Sequence, residues 1–404
     1  MRRSRGKFVR SGCRGCRFYQ FLVRGWLSRL RLDPGFRSLL RRVSMSAVKP
    51  QDGPVLVTGA SGYVGAHTVH ALLRKGFEVN ACVTDKSRED KVAHLRAMVQ
   101  EDSPGRLAIF EANLLEEGSY DQAMNGCAGV LHVGTPMGYA NVNTPQEVYD
   151  GALAGTKNVL ASIEKVSAVK RLVFTSSFAA IGHPAPEGYQ FTEEDWASDG
   201  RDSDENWNLT NLNDKGEVGY AIAKVELERL VYKVASESGA FDAISACPNV
   251  VLGPLLSTSH ELAGSWQWSL GRLLGGKICK RGYQHLWNIV DVRDVGEAQA
   301  LMLSSEQCKN GDRFQLCATD ESGELDVLEL KSFLESFYPD LEIGQPHEEM
   351  YSIIEKYGKV RQTPIARSDK ARNTLGLSTM PIEETLKATC ESLISLGLVK
   401  PIAK

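Results

Sequence analysis

From Pro54 onward, apolar runs of strand length alternate with stretches that have helical spacing. Strand-like runs occur at 54–58, 77–83, 107–110, 129–133, 171–175 and 241–247, and candidate helices near 63–75, 88–101, 118–125, 146–166 and 218–238. This alternation predicts a parallel sheet covered by helices on both faces, with right-handed crossovers. Strands buried on both faces read as continuous apolar runs, as most of these do. We therefore predict an α/β fold built on a doubly wound parallel sheet.

The alternation fades after Pro248. Residues 251–404 contain loops with glycine and proline, a Trp-bearing stretch at 265–270 and two apparent helices at 327–337 and 382–396. This pattern predicts that a smaller C-terminal lobe follows a first domain at 54–250. The composition is that of an ordinary globular chain, with 42% apolar and 24% charged residues. No stretch of the sequence is apolar for long enough to form a membrane-spanning helix.

Residues 1–44 form a strongly basic leader, with twelve Arg and Lys7 against the single acid Asp33. The leader therefore carries +12, and the rest of the chain carries −15 of the total net charge of −3. We expect residues 1–50 to lie outside the fold, as a mitochondrial or other organellar targeting peptide or as a disordered arm. Alternatively, Met45 is the true start and the protein is cytoplasmic. The acidic remainder argues against nucleic acid as a partner.

The cysteines and histidines give no sign of a disulfide framework or a metal site. Nine cysteines are odd in number and mostly scattered, which favours the free thiols of a reducing compartment. Cys13 and Cys16 form a lone CxxC without a second pair to complete a zinc site. The histidines, including His132 and His183, show no metal-binding spacing, and His132 is expected to be packed within the fourth strand. We therefore predict no metal site.

The first strand runs into the glycine-rich sequence TGASGYVG at 58–65. In such a loop one glycine makes the tight turn, one admits a pyrophosphate and one lets the helix pack closely on the strand. The phosphates then lie at the helix N-terminus, where free N–H groups favour negative charge. The position between the first strand and helix predicts a Rossmann-type dinucleotide-binding domain at 54–250. The loop residues predicted to bind the cofactor are Gly59, Ser61, Gly62, Tyr63, Val64 and Gly65.

A second motif, YAIAK at 220–224, lies on a long helix-like segment after the fifth strand. Residues i and i+4 share a helix face, so Tyr220 and Lys224 can address one site. A phenol has an ordinary pKa near ~10, and a fixed positive charge lowers it. We expect Lys224, helped by a nicotinamide ring, to lower the pKa of Tyr220 and allow proton transfer. The alternative without a catalytic role is a surface Tyr above a solvated Lys.

The third element is a pair of serines at the end of the fifth strand, in the sequence FTSSF at 174–178. Ligands of open α/β sheets bind beyond the carboxyl ends of the strands, so a hydroxyl here can point into the crevice. Ser177 can donate a hydrogen bond to a substrate carbonyl and polarise it for hydride attack. Taken alone, such a serine is more often a helix cap. The order of glycine loop, Ser and Tyr-x-x-x-Lys favours the catalytic interpretation.

Together these residues resemble the extended short-chain dehydrogenase/reductase family, of the NAD-dependent epimerase/dehydratase type. The chain is most similar to the dihydroflavonol reductase, cinnamoyl-CoA reductase and fungal aldehyde reductase group. The likeness runs from about residue 53 to near 400. It rests on VLVTGASGYVG at 55–65, LLEEGSYDQAMNGCAGVLHVGTPM at 114–137, VKRLVFTSS at 169–177, YAIAK at 220–224, PNVVLGP at 248–254 and IVDVRDV at 289–295.

The resemblance implies roles for individual residues. Ser177, Tyr220 and Lys224 would form the catalytic triad, and Tyr220 and Lys224 would also contact the cofactor. Asn113 and Leu114 would face the adenine. The segment from Pro248 to Val251, with Val250, would flank the nicotinamide. Residues 251–404 would mainly bind the substrate.

Departures from the family pattern bear on the cofactor and the substrate. NADP-preferring relatives carry Arg where this chain has Thr84, whereas Lys91 aligns with a lysine that meets the 2′-phosphate, with Lys86 and Arg88 nearby. We expect NADP(H) rather than NAD(H). Gly182 stands where flavonoid reductases hold a substrate-binding Asn, and YAIAK differs from the cinnamoyl-CoA reductase pattern. Neither lignin nor flavonoid substrates are supported.

The acid-rich stretch 193–217 separates Ser177 from Tyr220. A solvated loop is the first interpretation and a substrate-gating flap the second.

Three functions remain open from the sequence. The first is an NAD(P)H-dependent oxidoreductase that acts on an aldehyde, ketone or alcohol by hydride transfer. The second is a nucleotide-sugar epimerase or dehydratase, and the third a non-catalytic NAD(P)-sensing protein. The expected partner is a small carbonyl or alcohol substrate, and a homodimeric assembly is left open.

Overall fold

A computed structural model describes residues 47–99, 103–135, 144–186, 188–201, 207–209, 217–260, 264–280, 287–317, 324–357 and 365–404. The basic leader at 1–44, with Cys13 and Cys16, lies outside the described residues. A compact unit spans Ser46–Lys404. The chain is part of the fold from Val48, which is fully buried and whose N–H donates to Leu303 O (3.0 Å).

The strands and helices follow the predicted alternation. The strands are β1 (Val55–Thr58), β2 (Glu78–Val83), β3 (Arg106–Glu111), β4 (Gly129–His132), β5 (Arg171–Thr175), β6 (Gln190–Phe191), β7 (Asp242–Pro248), β8 (Val250–Leu252), β9 (Trp287–Asp291), β10 (Arg313–Leu316), β11 (Glu324–Leu325) and β12 (Ile365–Ala366). The α-helices are α1 (Tyr63–Arg74), α2 (Glu89–Arg96), α3 (Asp121–Met124), α4 (Pro145–Glu164), α5 (Glu217–Ser238), α6 (Trp266–Leu274), α7 (Val292–Ser304), α8 (Val327–Phe337), α9 (Glu349–Tyr357), α10 (Asp369–Leu375) and α11 (Ile382–Ser395).

Seven of these strands form one parallel sheet in the order β3-β2-β1-β4-β5-β7-β10. Apolar side chains of α1, α2, α7 and α10 pack on one face, and those of α3, α4 and α5 pack on the other. The predicted doubly wound α/β fold is confirmed. The strand order reverses between β1 and β4, which opens a crevice at the carboxyl ends of these strands, where ligands of such sheets bind.

A smaller sheet in the order β11-β9-β8 organises the C-terminal lobe. Trp287 on β9 is fully buried there, with Leu270 of α6, Leu330 of α8 and Leu393 of α11. The chain beyond residue 250 also contributes to the large sheet, because β10 pairs with β7 and α7 packs on α1. β6 and β12 form a short parallel pair.

Local sequence explains where α4 begins. Thr144 accepts from Glu147 N (3.2 Å), Glu147 Oε2 accepts from Thr144 N (3.1 Å), and Pro145 follows at the first helical position. This capping box satisfies N–H groups that a helix start otherwise leaves unpaired.

None of the helices within the described ranges is long and apolar enough to cross a membrane. The cysteines described there, Cys82, Cys127, Cys247, Cys279, Cys308, Cys317 and Cys390, are buried free thiols.

Candidate active site

The glycine loop between β1 and α1 is so tightly folded that two of its glycines cannot be replaced without a clash. Gly59 has φ +61°, and a Cβ there would lie 2.7 Å from Gly134 Cα. A Cβ on Gly65 would overlap Gly59 O and come within 2.9 Å of the Gly59 carbonyl carbon. At Gly62 the nearest atom would be Gly59 O at 3.2 Å, which a small shift can relieve. The close approach predicted for the loop is therefore strictest at Gly59 and Gly65.

The N-terminus of α1 offers a site for an anion. Gly62 is its N-cap residue and provides no side-chain acceptor. The first N–H groups of a helix, here those of Tyr63, Val64 and Gly65, have no partner within the helix and point outward with the positive end of the dipole. Ser61 lies at the same turn, and its carbonyl accepts from His260 Nε2 (3.1 Å). A pyrophosphate fits this cradle of backbone amides.

The Tyr63 side chain turns away from the amide cradle. Its hydroxyl donates to Gly253 O (2.9 Å), and burial raises its pKa well above the ordinary value. Its ring packs edge-on against His67 and His260. Tyr63 thus offers only its backbone to a cofactor, while its side chain fastens the glycine loop to the C-terminal lobe.

The three predicted catalytic residues come together at the carboxyl end of β5. Ser177 follows β5 and is the N-cap of a short 3-10 helix, Phe178–Ala180, where its Oγ accepts from Ala179 N (3.1 Å). Tyr220 and Lys224 lie one turn apart on α5, and the Tyr220 hydroxyl is hydrogen-bonded to the Ser177 side chain. Lys224 Nζ lies 5.6 Å from the centre of the Tyr220 ring.

Lys224 is buried and fixed by two hydrogen bonds. It is 3% exposed, and its Nζ donates to Thr175 O (2.8 Å) and to Thr135 Oγ1 (3.0 Å). Burial lowers the pKa of Lys224 to about 8, and Glu228 opposes this by raising it. Its ammonium is therefore predominantly charged at neutral pH and loses its proton within the mildly alkaline range.

Lys224 alone does not produce the lowered Tyr220 pKa that is expected from Lys224 together with a nicotinamide ring. Burial raises the pKa of Tyr220, and the hydrogen bond with Ser177 offsets this only in part. The Lys224 ammonium donates to Thr135 Oγ1 and Thr175 O. Tyr220 accordingly keeps its proton at neutral pH.

The segment after β4 links the glycine loop to the triad. Gly134 N donates to Thr58 Oγ1 (3.0 Å) and to Thr58 O (3.2 Å), and Gly134 packs against Gly59. The next residue, Thr135, accepts from Lys224. Thr135 lies within the family-like segment 114–137 but could not be predicted as a site residue, because a single threonine after a strand has no motif of its own.

His132 is packed within β4, as expected. Its Nδ1 is hydrogen-bonded to Thr58 Oγ1 (2.9 Å) and its Nε2 to Thr156 Oγ1 (3.2 Å). Burial lowers the pKa of His132 to about 3. The imidazole is therefore neutral and braces β4 against β1.

Lys91 differs from the other cations predicted to lie after β2, because they have carboxylate partners and it has none among the described residues. Arg88 is engaged by Asp90 through Nε (2.8 Å) and Nη2 (2.7 Å), and Asp85 accepts from Ser87 N (2.9 Å) and Oγ (2.6 Å). Lys86 lies 3.8 Å from Glu111. Lys91 on α2 is exposed, and no described carboxylate lies within 4 Å of its Nζ.

The predicted adenine-binding residues lie at the next strand end. Asn113 Oδ1 accepts from Leu115 N (3.0 Å), which closes a turn after β3. Asn158 of α4 fixes that turn by donating to Leu114 O (3.2 Å). Leu114 packs on Gly155, where a Cβ would lie 3.1 Å from Leu114 Cβ.

The predicted nicotinamide-flanking segment begins where β7 ends. Pro248 is the last residue of β7, and Asn249 N donates to Leu316 O (2.9 Å). Val250 is buried, whereas Val251 is half-buried and its carbonyl accepts from Gln267 Nε2 (2.9 Å). The segment thus reaches from the large sheet into the C-terminal lobe, beside the carboxyl end of β5.

A histidine and two aspartates meet near the Ser177 turn, although their spacing along the chain does not predict a metal site. Ligand-capable atoms of His183, Asp195 and Asp199 lie within 4.8 Å of one another. Asp195 already accepts from Tyr189 Oη (2.6 Å) and from Thr192 N (2.6 Å). These bonds account for the cluster as a hydrogen-bonded turn.

Known proteins are similar to this chain in sequence and in fold. The model of the NAD dependent epimerase/dehydratase family matches residues 55–317. Cinnamoyl-CoA reductase CAD2 of Medicago truncatula is 31% identical over 349 residues, which cover 84% of this chain and 95% of that protein. Tetraketide alpha-pyrone reductase 1 of Arabidopsis thaliana is 29% identical over 87% of this chain and 98% of its own length.

The fold is also found in the crystal structure of Gre2 from Candida albicans in complex with NADPH. The TM-score is 0.69 at 24% identity, over 85% of this chain and 99% of Gre2. The similarity extends through both the large sheet and the C-terminal lobe. The chain therefore belongs to the NAD dependent epimerase/dehydratase family of extended short-chain dehydrogenases/reductases, and its reductase relatives support oxidoreductase activity.

Proposed function

We propose that this chain is an NADP(H)-dependent oxidoreductase that reduces an aldehyde or ketone, or oxidises the corresponding alcohol, with Ser177, Tyr220 and Lys224 as its catalytic residues. One observation carries the proposal. Lys224 Nζ donates both to Thr135, which follows the Gly134 that packs on the glycine loop, and to Thr175, two residues before Ser177. A dinucleotide held at the glycine loop would therefore end beside the triad.

Each of the three catalytic side chains has a separate role in the reduction. The bound cofactor supplies the hydride. Ser177 donates a hydrogen bond to the carbonyl oxygen and holds it near Tyr220, and Tyr220 gives its proton to that oxygen as negative charge develops there. Burial raises the pKa of Tyr220, so the phenol carries the proton to be transferred at neutral pH. The buried Lys224 ammonium fixes the strand ends and would hold the nicotinamide ribose.

Lys91 supports the preference for NADP(H). It is exposed on α2, the helix that follows β2, and it is not paired with a described carboxylate. Arg88, in contrast, is already engaged by Asp90. A lysine held near a 2′-phosphate makes a charge-assisted contact that NADH lacks.

A small carbonyl compound is the proposed substrate class. The relatives' names include a cinnamoyl-CoA reductase and a tetraketide alpha-pyrone reductase. Gly182, however, leaves no side chain at the position of the flavonoid-binding Asn, and a Cβ there would lie 2.9 Å from Phe178 Cε1. The Phe178 ring thus occupies the space that a side chain at position 182 would need.

The second candidate is a nucleotide-sugar epimerase or dehydratase, which the description of the matching family favours. Such enzymes use a similar triad but keep their cofactor through the reaction. The reductase-like segment 114–137 favours the first candidate.

A screen of short aldehydes and ketones separates the two. NADPH absorbance is followed with purified protein, and the nucleotide content is measured after gel filtration. Carbonyl-dependent NADPH consumption is expected. Nucleotide that stays bound through gel filtration, with turnover of a nucleotide sugar and no net NADPH consumption, would contradict the proposal.

A further inference from the structure

A buried ion pair lies beneath the catalytic helix. Arg313 on β10 is 4% exposed and Glu228 on α5 is 0% exposed. Arg313 donates to Glu228 through Nε (3.2 Å to Oε1) and Nη2 (2.9 Å to Oε2). Glu228 follows Lys224 by one helical turn, so the pair fixes the part of α5 that carries Lys224. Burying two charges is costly, and such a pair persists only where further hydrogen bonds satisfy it.

The remaining donors of Arg313 provide those bonds. Nη2 donates to Ala180 O (3.2 Å), and Nη1 donates to Glu193 O (3.0 Å) and Asp195 O (2.6 Å). Ala180 ends the 3-10 helix that begins at the Ser177 cap. Glu193 and Asp195 begin the acid-rich stretch that sequence analysis treated as a solvated loop or a flap. One planar guanidinium therefore touches three segments that are distant in sequence.

The start of the acid-rich stretch is packed rather than solvated. The Arg313 guanidinium carbon lies 3.8 Å from the centre of the Trp196 ring. Two residues along β10, Gln315 N donates to Glu193 Oε1 (3.1 Å), and burial raises the pKa of Glu193. Residues 193–196, which we name the anchor segment, are thus held to β10 by backbone, side-chain and aromatic contacts.

We propose that Arg313 is a positioning residue that, through Glu228, sets the catalytic helix against the Ser177 turn and the anchor segment. The proposal rests on the proposed function. Tyr220 and Lys224 come from α5, and Ser177 comes from the turn that ends at Ala180, so their mutual distances depend on the guanidinium that bonds both elements. Arginine suits this role because its fork can hold a carboxylate and several carbonyls at once, whereas lysine offers a point charge.

Glu228 has an electrostatic role in the same network. The titratable and charged groups around Lys224 are Tyr220 and Glu228 on its own helix, His132 on β4, Cys247 on β7 and, behind Glu228, Arg313 on β10. Among them the Glu228 carboxylate raises the pKa of Lys224, as does Cys247. Burial raises the pKa of Cys247 well above the ordinary value, so this thiol stays protonated. Glu228 is therefore the anion that sustains the Lys224 charge.

The test is Arg313→Lys, with Arg171→Lys as the matched control. Arg171 is also fully buried and also holds backbone carbonyls, those of Met302, Ser305 and Cys308, but it lies at the opposite, amino end of β5. Both variants should lower the melting temperature. Well below it, only Arg313→Lys should lower kcat for carbonyl reduction, by about ten- to a hundred-fold, because small misplacements of reacting groups are costly. NADPH affinity should fall by less than kcat does, because the glycine loop, which the structure describes in full, does not contact Arg313.

Hydrogen–deuterium exchange gives a readout that does not depend on activity. In Arg313→Lys, residues 178–180, 193–197 and 217–228 should lose protection together, and in Arg171→Lys they should not. Unchanged exchange in these segments overturns the positioning role, whether or not the wild type reduces a carbonyl. Correlated loss of protection in a protein that reduces none would instead overturn the proposed function alone. Equal kcat losses in the two variants would reduce Arg313 to a structural residue.

A double variant covers the case in which Arg313→Lys does not fold. Arg313→Met with Glu228→Leu replaces the ion pair by apolar side chains, a change that buried pairs often tolerate. Tyr232 keeps a partner, since its hydroxyl also donates to Asp312 O (3.4 Å). Loss of the Glu228 carboxylate should move the alkaline fall in kcat to lower pH. An unmoved profile with wild-type kcat would contradict the proposal.

Discussion

Gly65→Ala should weaken cofactor binding far more than Gly62→Ala, although both glycines belong to one motif. At Gly65 the new Cβ would overlap Gly59 O and lie 2.9 Å from its carbonyl carbon and 3.1 Å from Ala60 Cα. These are backbone atoms of the loop itself, so the loop must move. At Gly62 the single close atom is Gly59 O at 3.2 Å, and a shift of a few tenths of an ångström suffices.

The size of the effect follows from the bonds that the loop makes. A hydrogen bond to a charged group is worth about 1.5–3 kcal/mol. If the moved loop loses one amide–phosphate bond, NADPH affinity falls roughly ten- to a hundred-fold. Gly62→Ala should change it by no more than about threefold, which corresponds to well under 1 kcal/mol.

Isothermal titration calorimetry with NADPH measures both affinities, and thermal unfolding shows the temperature range in which each variant is folded. Wild-type affinity in Gly65→Ala would refute the loop geometry. Equal losses in the two variants would contradict the difference in available space, since neither glycine has a positive φ.

Three further predictions follow from the site. Lys91→Ala should reduce the preference for NADPH over NADH by roughly ten- to a hundred-fold and leave NADH affinity unchanged. Arg88→Ala should have a smaller effect, because Asp90 already engages Arg88. Equal ratios of the NADH and NADPH Kd values in wild type and Lys91→Ala would exclude Lys91 from the 2′-phosphate site. Because the pKa of Lys224 is about 8, kcat for reduction should fall as the pH rises through that value, and a flat profile to about pH 10 would contradict the role of its charge. Burial raises the pKa of Asp294 from 3.8 to about 7, so the folded protein holds a proton that the unfolded chain has released, and stability falls as the pH rises between these values. Asp294→Asn keeps an acceptor for Met380 N (2.7 Å). The free energy of unfolding of this variant should exceed that of the wild type by roughly 1–3 kcal/mol at about pH 8 and differ little at low pH. An equal shift in melting temperature at both pH values would contradict the raised pKa of Asp294.

Local pattern was enough to predict the nucleotide-binding half of the fold. β2 was expected at 77–83 and spans Glu78–Val83, and α5 was expected at 218–238 and spans Glu217–Ser238. These elements are apolar runs or long amphipathic segments whose burial is visible in the residues themselves. The i, i+4 spacing placed Tyr220 and Lys224 on one helix face, and the structure brings both to the Ser177 turn.

The seventh strand could not be predicted in this way. β10 has the sequence RFQL, and its Arg313 and Gln315 are polar yet buried. Arg313 donates to Glu228, 85 residues away, and Gln315 Nε2 donates to Phe191 O, 124 residues away. A buried polar residue is stable only with such partners, and their positions are a property of the fold rather than of the local sequence.

The effect of the protein's own groups on the Tyr220 pKa could not be predicted from the motif, for a related reason. The motif shows that a lysine lies near the phenol, but it does not show where the ammonium points. In the structure the ammonium donates to Thr135 Oγ1 and Thr175 O, and burial has the largest effect on the pKa of Tyr220.

The central claim is that Tyr220 protonates the product of hydride transfer. Tyr220→Phe keeps the ring and removes the transferable proton, so NADPH affinity and melting temperature should be retained. General acid catalysis contributes typically ~10²–10⁴-fold, and the loss in kcat should fall in that range. Tyr149→Phe, on the neighbouring helix α4, is the control for loss of a tyrosine hydroxyl and should retain wild-type kcat.

The decisive measurement is therefore kcat for NADPH-dependent reduction of the best carbonyl substrate from the screen, in wild type, Tyr220→Phe and Tyr149→Phe. Our account predicts a fall of at least about a hundred-fold in Tyr220→Phe alone, with NADPH still bound. Turnover of Tyr220→Phe within about threefold of the wild type would show that the proton comes from elsewhere and would contradict the triad.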